Sequence, residues 1–201
     1  MKKRNHKILY GLVLAGGKST RMKMDKSTLH YHGLTQIEWA VQLLEKCCDK
    51  VFISNRKEQN GLQGHEAAQQ IHDRPEFNNL GPIGGILSAM TSHPDAAWLV
   101  LACDLPFVTM KTLETLIKKR NPVKIATVYL SSSDKLPEPL CAIWEAQSYP
   151  RVLKFVKHGM HCPRKILINS DAQLIEPMDK NALDNINNPE EYKQALKTIG
   201  K

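Results

Sequence analysis

Hydrophobic residues along this chain form short continuous runs that alternate with polar segments of helical length. Residues 8–14 and 97–102 are apolar almost throughout, which is typical of parallel strands covered on both faces. Residues 51–54 form a further run of strand length. Shorter strands are predicted at residues 71–73, 124–129, 140–144, 165–168 and 172–175.

The segments between these runs carry signals for helices. Thr35 is a suitable N-cap and Glu38 its capping-box partner, so a helix is predicted through about Cys48. Residues 56–70 are polar and are expected to form a loop or a poorly packed helix. A glycine loop is predicted at residues 81–85, and helices are predicted from residue 86 and over residues 109–119, 147–158 and 190–197.

The alternation of strands and helices predicts an α/β fold. We expect a Rossmann-like, mostly parallel twisted sheet with helices on both faces. No linker or repeat divides the chain, so residues 1–201 are predicted to be a single domain.

Composition narrows the class of protein further. The chain has 201 residues, of which 42% are hydrophobic and 24% charged, as is ordinary for a globular protein. No apolar run reaches the roughly 18 residues of a membrane span, so no membrane association is expected. The five cysteines lack zinc-site spacing and suit reduced thiols, which predicts a cytoplasmic protein.

The net charge of +8 indicates a polyanionic partner. Taken alone, the positive charge would also be compatible with a nucleic-acid partner. Aromatic residues, however, make up only 6% of the chain and are not interleaved with the basic ones. We therefore expect a small polyanionic ligand and no nucleic acid.

The segment after the first strand, residues 14–26, has the composition of a triphosphate loop. Gly16 and Gly17 allow backbone N–H groups to turn toward an anion, and cations follow them. The segment is not a Walker A motif, because Leu12 stands where the first glycine would be, and it lacks the dinucleotide fingerprint G-x-G-x-x-G. The cations are Lys18, Arg21, Lys23 and Lys26.

Other polar residues follow the remaining predicted strands. Asp104 comes directly after the strand at residues 97–102, where open α/β sheets bind ligands, and a carboxylate there suits Mg²⁺ beside phosphates. Asn55 and Asp73 also follow strands and could bind a base or a ribose. The glycines of residues 81–85 would let a base approach the backbone.

With these motifs in place, the chain resembles the molybdenum cofactor guanylyltransferases, within the nucleotidyltransferase superfamily. The resemblance covers residues 12–192 and implies a three-layer fold like that of the nucleotide-diphospho-sugar transferases. The family motifs L-A-G-G-x-S-x-R-M-G-x-D-K, G-P-x-x-G, C-D-x-P and N-x-N-x-P-E correspond to residues 14–26, 81–85, 103–106 and 185–190.

The resemblance implies that GMP is transferred from GTP to molybdopterin with release of pyrophosphate. It also implies Mg²⁺ as cofactor and transient partners among the proteins of molybdenum cofactor biosynthesis. The implied catalytic residues are Arg21, Lys26 and Asp104, the last also the metal ligand. The implied nucleotide-binding residues are Leu14, Ala15, Gly16, Gly17, Lys26, Asn55, Asp73, Gly81, Gly85 and Asp104. The implied acceptor-side residues are Arg21, Asn185 and Asn187.

Two positions depart from the family pattern and leave the identity of the acceptor substrate undecided. Lys23 replaces a glycine of the first motif, and Glu138 stands before Pro139 where the family often has histidine. A carboxylate beside an anionic pterin is unexpected. The alternatives are an enzyme that uses CTP or a sugar phosphate, and a non-catalytic GTP-binding module.

Overall fold

A computed structural model describes residues 8–17 and 25–200. Its largest sheet has seven strands in the order β5-β4-β1-β6-β8-β7-β9, and β2 and β3 form a separate small hairpin. The strands are β1 (Leu9–Leu14), β2 (His30–Tyr31), β3 (Leu34–Thr35), β4 (Lys50–Asn55), β5 (Gln69–His72), β6 (Ala97–Ala102), β7 (Ala126–Leu130), β8 (Pro137–Trp144) and β9 (Gln173–Ile175).

The large sheet is mostly parallel, as predicted. β1 pairs in parallel with β4 and β6, β4 with β5, and β7 with β9. β8 alone in this sheet runs antiparallel to its neighbours, β6 and β7. The short turn between β7 and β8 explains this reversal, because a parallel connection needs a crossover of a dozen or more residues.

Helices cover both faces of the sheet. α1 (Gln36–Glu45) and α3 (Met110–Lys118) pack on one face, and α2 (Pro82–Ser92), α4 (Tyr149–Lys157) and α5 (Pro163–Ile168) on the other. α6 (Pro189–Ile199) packs against the β2–β3 hairpin through Ala195 and Tyr31. Within the two described stretches of chain, no helix is both long and apolar enough to cross a membrane.

The predicted capping box at the start of α1 is confirmed. The Thr35 N–H donates to Glu38 Oε2 at 2.8 Å, and the Glu38 N–H donates to Thr35 Oγ1 at 3.4 Å. These bonds satisfy backbone groups that a helix leaves unpaired at its first turn.

The prediction of a glycine loop at residues 81–85 is wrong, because α2 already begins at Pro82. Proline favours the first helical position, and Gly84 and Gly85 lie in the buried first turn. A Cβ on Gly85 would collide with Ser54 Oγ, and one on Gly84 would lie 2.5 Å from the Phe77 carbonyl oxygen. Gly85 therefore lets the helix pack closely on the sheet, and Gly84 lets it pack closely on the segment that follows β5.

The strand predicted at residues 165–168 is also wrong, since α5 occupies these residues. Short apolar runs do not distinguish a buried strand from a buried helical turn. Here Pro163 opens the helix, and Ile166 and Leu167 pack into the core beside α2. Residues 56–68 form a loop with two short 3-10 turns, Lys57–Gln59 and His65–Ala67, and β5 begins at Gln69, two residues earlier than predicted.

Candidate active site

The candidate site lies where the carboxyl ends of β1 and β6 meet. Leu14 pairs with Ala102 in the sheet register, and the Cys103 N–H donates to the Leu14 carbonyl at 3.1 Å. After β1 the chain builds β4 and β5 on one side and then returns to β6 on the other. Such a switch point forms a crevice, which is where open α/β sheets bind ligands.

Three residues from distant parts of the chain meet in this crevice. Lys26 Nζ donates to Asp104 Oδ2 at 3.2 Å and to Asn187 Oδ1 at 2.6 Å. The Lys26 and Asp104 side chains are 16% and 22% exposed, so both are shielded yet open to a ligand. The Ile186 N–H donates to the Asp104 carbonyl at 3.0 Å and so fixes the late motif beside the end of β6. Sequence motifs far apart in the chain thus converge on one cluster, although their roles stay predictions.

A buried glutamine joins the two ends of the predicted phosphate loop. Gln59 Nε2 donates to the Ala15 carbonyl at 2.8 Å and to Asp25 Oδ2 at 2.7 Å. The other carboxylate oxygen of Asp25 accepts from the N–H and the hydroxyl of Ser27, at 3.0 and 2.7 Å. The loop is therefore anchored at both ends to the segment that follows β4. Gln59 could not be recognised from the sequence, because no local signal marks a side chain that acts 44 residues away.

A histidine extends this network toward the outer strand of the sheet. His65 Nε2 lies 2.9 Å from Ser27 Oγ, and His65 Nδ1 lies 2.9 Å from Asn55 Nδ2. An amide nitrogen only donates, so Nδ1 accepts and the ring is neutral with its proton on Nε2. Burial lowers the pKa of His65, with Asp25 opposing that shift, and the neutral form agrees with this direction.

Asn55 itself is 2% exposed. Its amide nitrogen donates to Gln70 Oε1 at 3.1 Å as well as to His65. Its Oδ1 has no hydrogen-bond partner among the described residues. A contact between Asn55 and a nucleoside stays a prediction, and the observed contacts place this side chain in the network with His65 and Gln70.

The remaining predicted nucleotide-side residues differ in their accessibility. Leu14 and Ala15 are buried, whereas Gly17 is exposed and a Cβ there would meet nothing within 4 Å. Gly16 is intermediate, and a Cβ on it would lie 3.9 Å from the nearest heavy atom, on Arg56. The two glycines therefore present open backbone, as a phosphate loop requires.

Asp73 directly follows β5 and lies against the first turn of α2. A Cβ on Gly84 would be 3.1 Å from Asp73 Oδ2. Burial raises the pKa of Asp73. Gly81 is exposed with φ +65° and ψ −145°, a conformation that is essentially confined to glycine. Nucleotide contacts of Asp73, Gly81 and the buried Gly85 stay predictions.

A cavity of about 220 Å³ adjoins the cluster on the side of β8. Asp104 and the predicted acceptor residue Asn185 both line it. Its other charged residues are Asp134, Glu138 and Arg164. Glu138 stands out in the sequence as a departure from the family pattern, whereas no sequence motif marks Asp134 or Arg164.

Arg21, predicted to be catalytic and to face the acceptor, lies outside the described residues, as do Lys18 and Lys23. Among the residues that are described, no group of three or more histidine, cysteine or acidic side chains could hold a metal ion. Asp104 as a metal ligand stays a prediction.

Comparison with known proteins identifies the family of this chain. Residues 11–174 match the family model of the MobA-like NTP transferase domain. The chain belongs to this family. This membership confirms the family resemblance that the sequence motifs indicated.

Several relatives of this MobA-like chain carry informative names. A molybdenum cofactor biosynthesis bifunctional protein from Synechocystis is 39% identical over 92% of this chain. The chain spans 53% of the length of that relative. A probable molybdenum cofactor guanylyltransferase from Nostoc is 28% identical, with 91% of this chain and 88% of the relative covered.

Solved structures confirm the α/β fold of this family member. Molybdopterin-guanine dinucleotide biosynthesis protein A from Archaeoglobus fulgidus has a TM-score of 0.77 at 24% identity, covering 95% of this chain and 98% of its own. A Mycobacterium tuberculosis protein solved in complex with manganese has a TM-score of 0.66 at 16% identity, covering 96% and 100%.

Proposed function

We propose that this protein transfers GMP from GTP to molybdopterin, forming molybdopterin guanine dinucleotide and pyrophosphate. The observation that carries the proposal is the cluster of Lys26, Asp104 and Asn187 at the switch point of the sheet. The names of the relatives support the choice of GTP and molybdopterin. On this proposal the protein acts in the cytoplasm, with transient partners from the same biosynthesis.

The reaction needs positioning and charge neutralisation more than it needs a protein nucleophile. The phosphate of molybdopterin is already ionised near neutral pH, attacks the α-phosphorus of GTP and displaces pyrophosphate in line. Lys26 would neutralise charge that develops on the transferred and departing phosphates. Asp104 and Asn187 accept from the ammonium group and hold it in place before substrate binds. Such preorganisation avoids a reorganisation cost during the reaction.

Asp104 fits the requirements of a Mg²⁺ ligand. Its Oδ2 accepts from Lys26, so its second oxygen remains for a metal. Mg²⁺ prefers one or two carboxylates together with substrate phosphates and water, which matches a single aspartate beside a triphosphate loop. The bound ion would supply Lewis-acid polarisation of the phosphate oxygens.

The guanine base would lie on the opposite side of the crevice, near Asp73 and Gly81. Guanine presents a ring N–H and an amino group on one edge, and a carboxylate can accept from both. Cytosine lacks this pair of adjacent donors. Asp73 would therefore favour GTP over CTP, because only guanine offers the carboxylate two adjacent N–H donors.

Pyrophosphate release tests the proposal directly. The wild-type protein is incubated with GTP, CTP or ATP, with and without molybdopterin, and with Mg²⁺ or a chelator. We expect release with GTP that depends on both molybdopterin and the divalent ion. Release with CTP instead would favour the cytidylyl alternative, and GTP binding without any release would favour the non-catalytic module.

A further inference from the structure

The cavity beside Asp104 contains an ion-paired arginine that the proposed mechanism does not use. Arg164 Nη2 donates to Glu138 Oε1 at 2.7 Å, and Arg164 Nη1 donates to Asp134 Oδ2 at 3.1 Å. Arg164 belongs to α5, Glu138 to β8, and Asp134 to the turn between β7 and β8. The guanidinium therefore ties three parts of the fold together at the cavity wall.

This arrangement holds the Glu138 carboxylate in place. The Leu136 N–H donates to Asp134 Oδ1 at 3.1 Å, and this bond, followed by one from Ser131, lowers the pKa of Asp134. Asp134 is thus an ionised anchor for Arg164, which in turn holds Glu138. Within residues 8–17 and 25–200, the Glu138 side chain accepts from Arg164 through Oε1, and its Oε2 has no donor.

The charges of the lining indicate the kind of group that the cavity accepts. Three carboxylates line it (Asp104, Asp134 and Glu138), whereas Arg164 is the one cation among its described lining residues. A phosphate at the Glu138 end would meet net negative charge. A group that offers N–H donors would instead meet unpaired carboxylate oxygen.

A pterin ring offers such donors, because its ring N–H and its 2-amino group lie side by side on one edge. We infer that Glu138 determines acceptor specificity by accepting hydrogen bonds from this edge, while Arg164 and Asp134 position its carboxylate. The inference rests on the proposed function, in which the acceptor is a pterin. It also accounts for a carboxylate beside an anionic acceptor: Glu138 faces the uncharged ring, and the acceptor phosphate lies toward Lys26 and Asp104.

A pair of pteridines tests the inference without turnover. A pterin and the matching lumazine, which has oxygen in place of the 2-amino group, carry the same phosphorylated side chain and are titrated by fluorescence with Mg²⁺. Hydrogen bonds to a charged group predict that the wild-type protein binds the pterin roughly 10- to 100-fold more tightly. Glu138→Gln should lose this preference. Equal binding of both pteridines by the wild-type protein, or a preference retained in Glu138→Gln, would overturn the inference.

Asp171→Asn is the matched control. Asp171 accepts from Lys124 Nζ at 2.6 Å in a pair that does not line the cavity. This variant also loses one carboxylate from an ion pair, but it should keep the preference for the pterin.

Steady-state kinetics separates failure of this inference from failure of the proposed function. Glu138→Gln should raise the KM for molybdopterin roughly 10- to 100-fold and leave the KM for GTP unchanged. If the wild-type protein turns over and the variant keeps its molybdopterin KM, the inference about Glu138 fails alone. If the wild-type protein releases no pyrophosphate with molybdopterin, the proposed function fails.

Discussion

Replacing Gln59 by methionine tests whether the buried glutamine holds the phosphate loop. Methionine keeps the approximate length and shape of the side chain but removes its amide. Three hydrogen bonds are lost: one to the Ala15 carbonyl, one to the Asp25 carboxylate and one from the Arg56 N–H. The Gln59 side chain is 2% exposed, so water cannot replace these bonds.

The size of the stability loss follows from the charge of each hydrogen-bond partner. Two bonds to neutral groups contribute about 1 kcal/mol each, and the bond to a carboxylate about 2 kcal/mol. The added apolar burial of methionine offsets about 1 kcal/mol. We therefore expect the free energy of unfolding to fall by about 3 kcal/mol, which shifts the urea midpoint by about 1 M for a chain of this size.

Urea unfolding of both proteins measures this change. Gln147→Met is the matched control, because the exposed Gln147 amide donates to the Pro122 and Lys124 carbonyls. That variant should change stability by less than about 0.5 kcal/mol. A loss below about 1 kcal/mol in Gln59→Met would refute the view that this side chain fastens the loop. We also expect GTP affinity to fall in Gln59→Met, because the two ends of the loop are no longer tied together.

Three further predictions concern catalysis, pH and packing. Lys26→Ala and Asp104→Ala should each lower turnover about 10²- to 10³-fold, or 3–4 kcal/mol, with unchanged circular dichroism, and near-normal turnover would remove that residue from the mechanism. Because burial lowers the pKa of His65 below its ordinary 6.5, the unfolded chain takes up this proton first as pH falls, so stability should decline below about pH 6.5. Thermal unfolding against pH checks this, and His65→Gln should show a smaller decline if the reasoning holds. Gly85→Ala should destabilise the fold by about 1–3 kcal/mol in urea, since the new Cβ collides with Ser54; an unchanged midpoint would contradict this packing role.

Short-range signals predicted much of the fold. The apolar runs that became β1 and β6 were recognisable because strands buried on both faces need continuous hydrophobicity. The capping box of α1 was recognisable because its partners lie three residues apart. The helical turns of α5 and the start of α2 were missed, because burial of a short segment depends on what packs against it.

The sequence by itself determined the alternation of elements, the family motifs and the residues that the motifs bring to the carboxyl edge of the sheet. Asp104 could be named in advance because it follows a buried strand, and Lys26 because it is a cation of the loop after β1, whereas Asn187 was named only from the family motif. Only the tertiary structure showed that Gln59 fastens the loop and that Arg164 holds Glu138 at the cavity. The physical reason is that the sequence around a polar side chain does not indicate which distant residue will be its hydrogen-bond partner. Hydrogen bonds between residues dozens of positions apart form only once the sheet and its helices have set the distance between them.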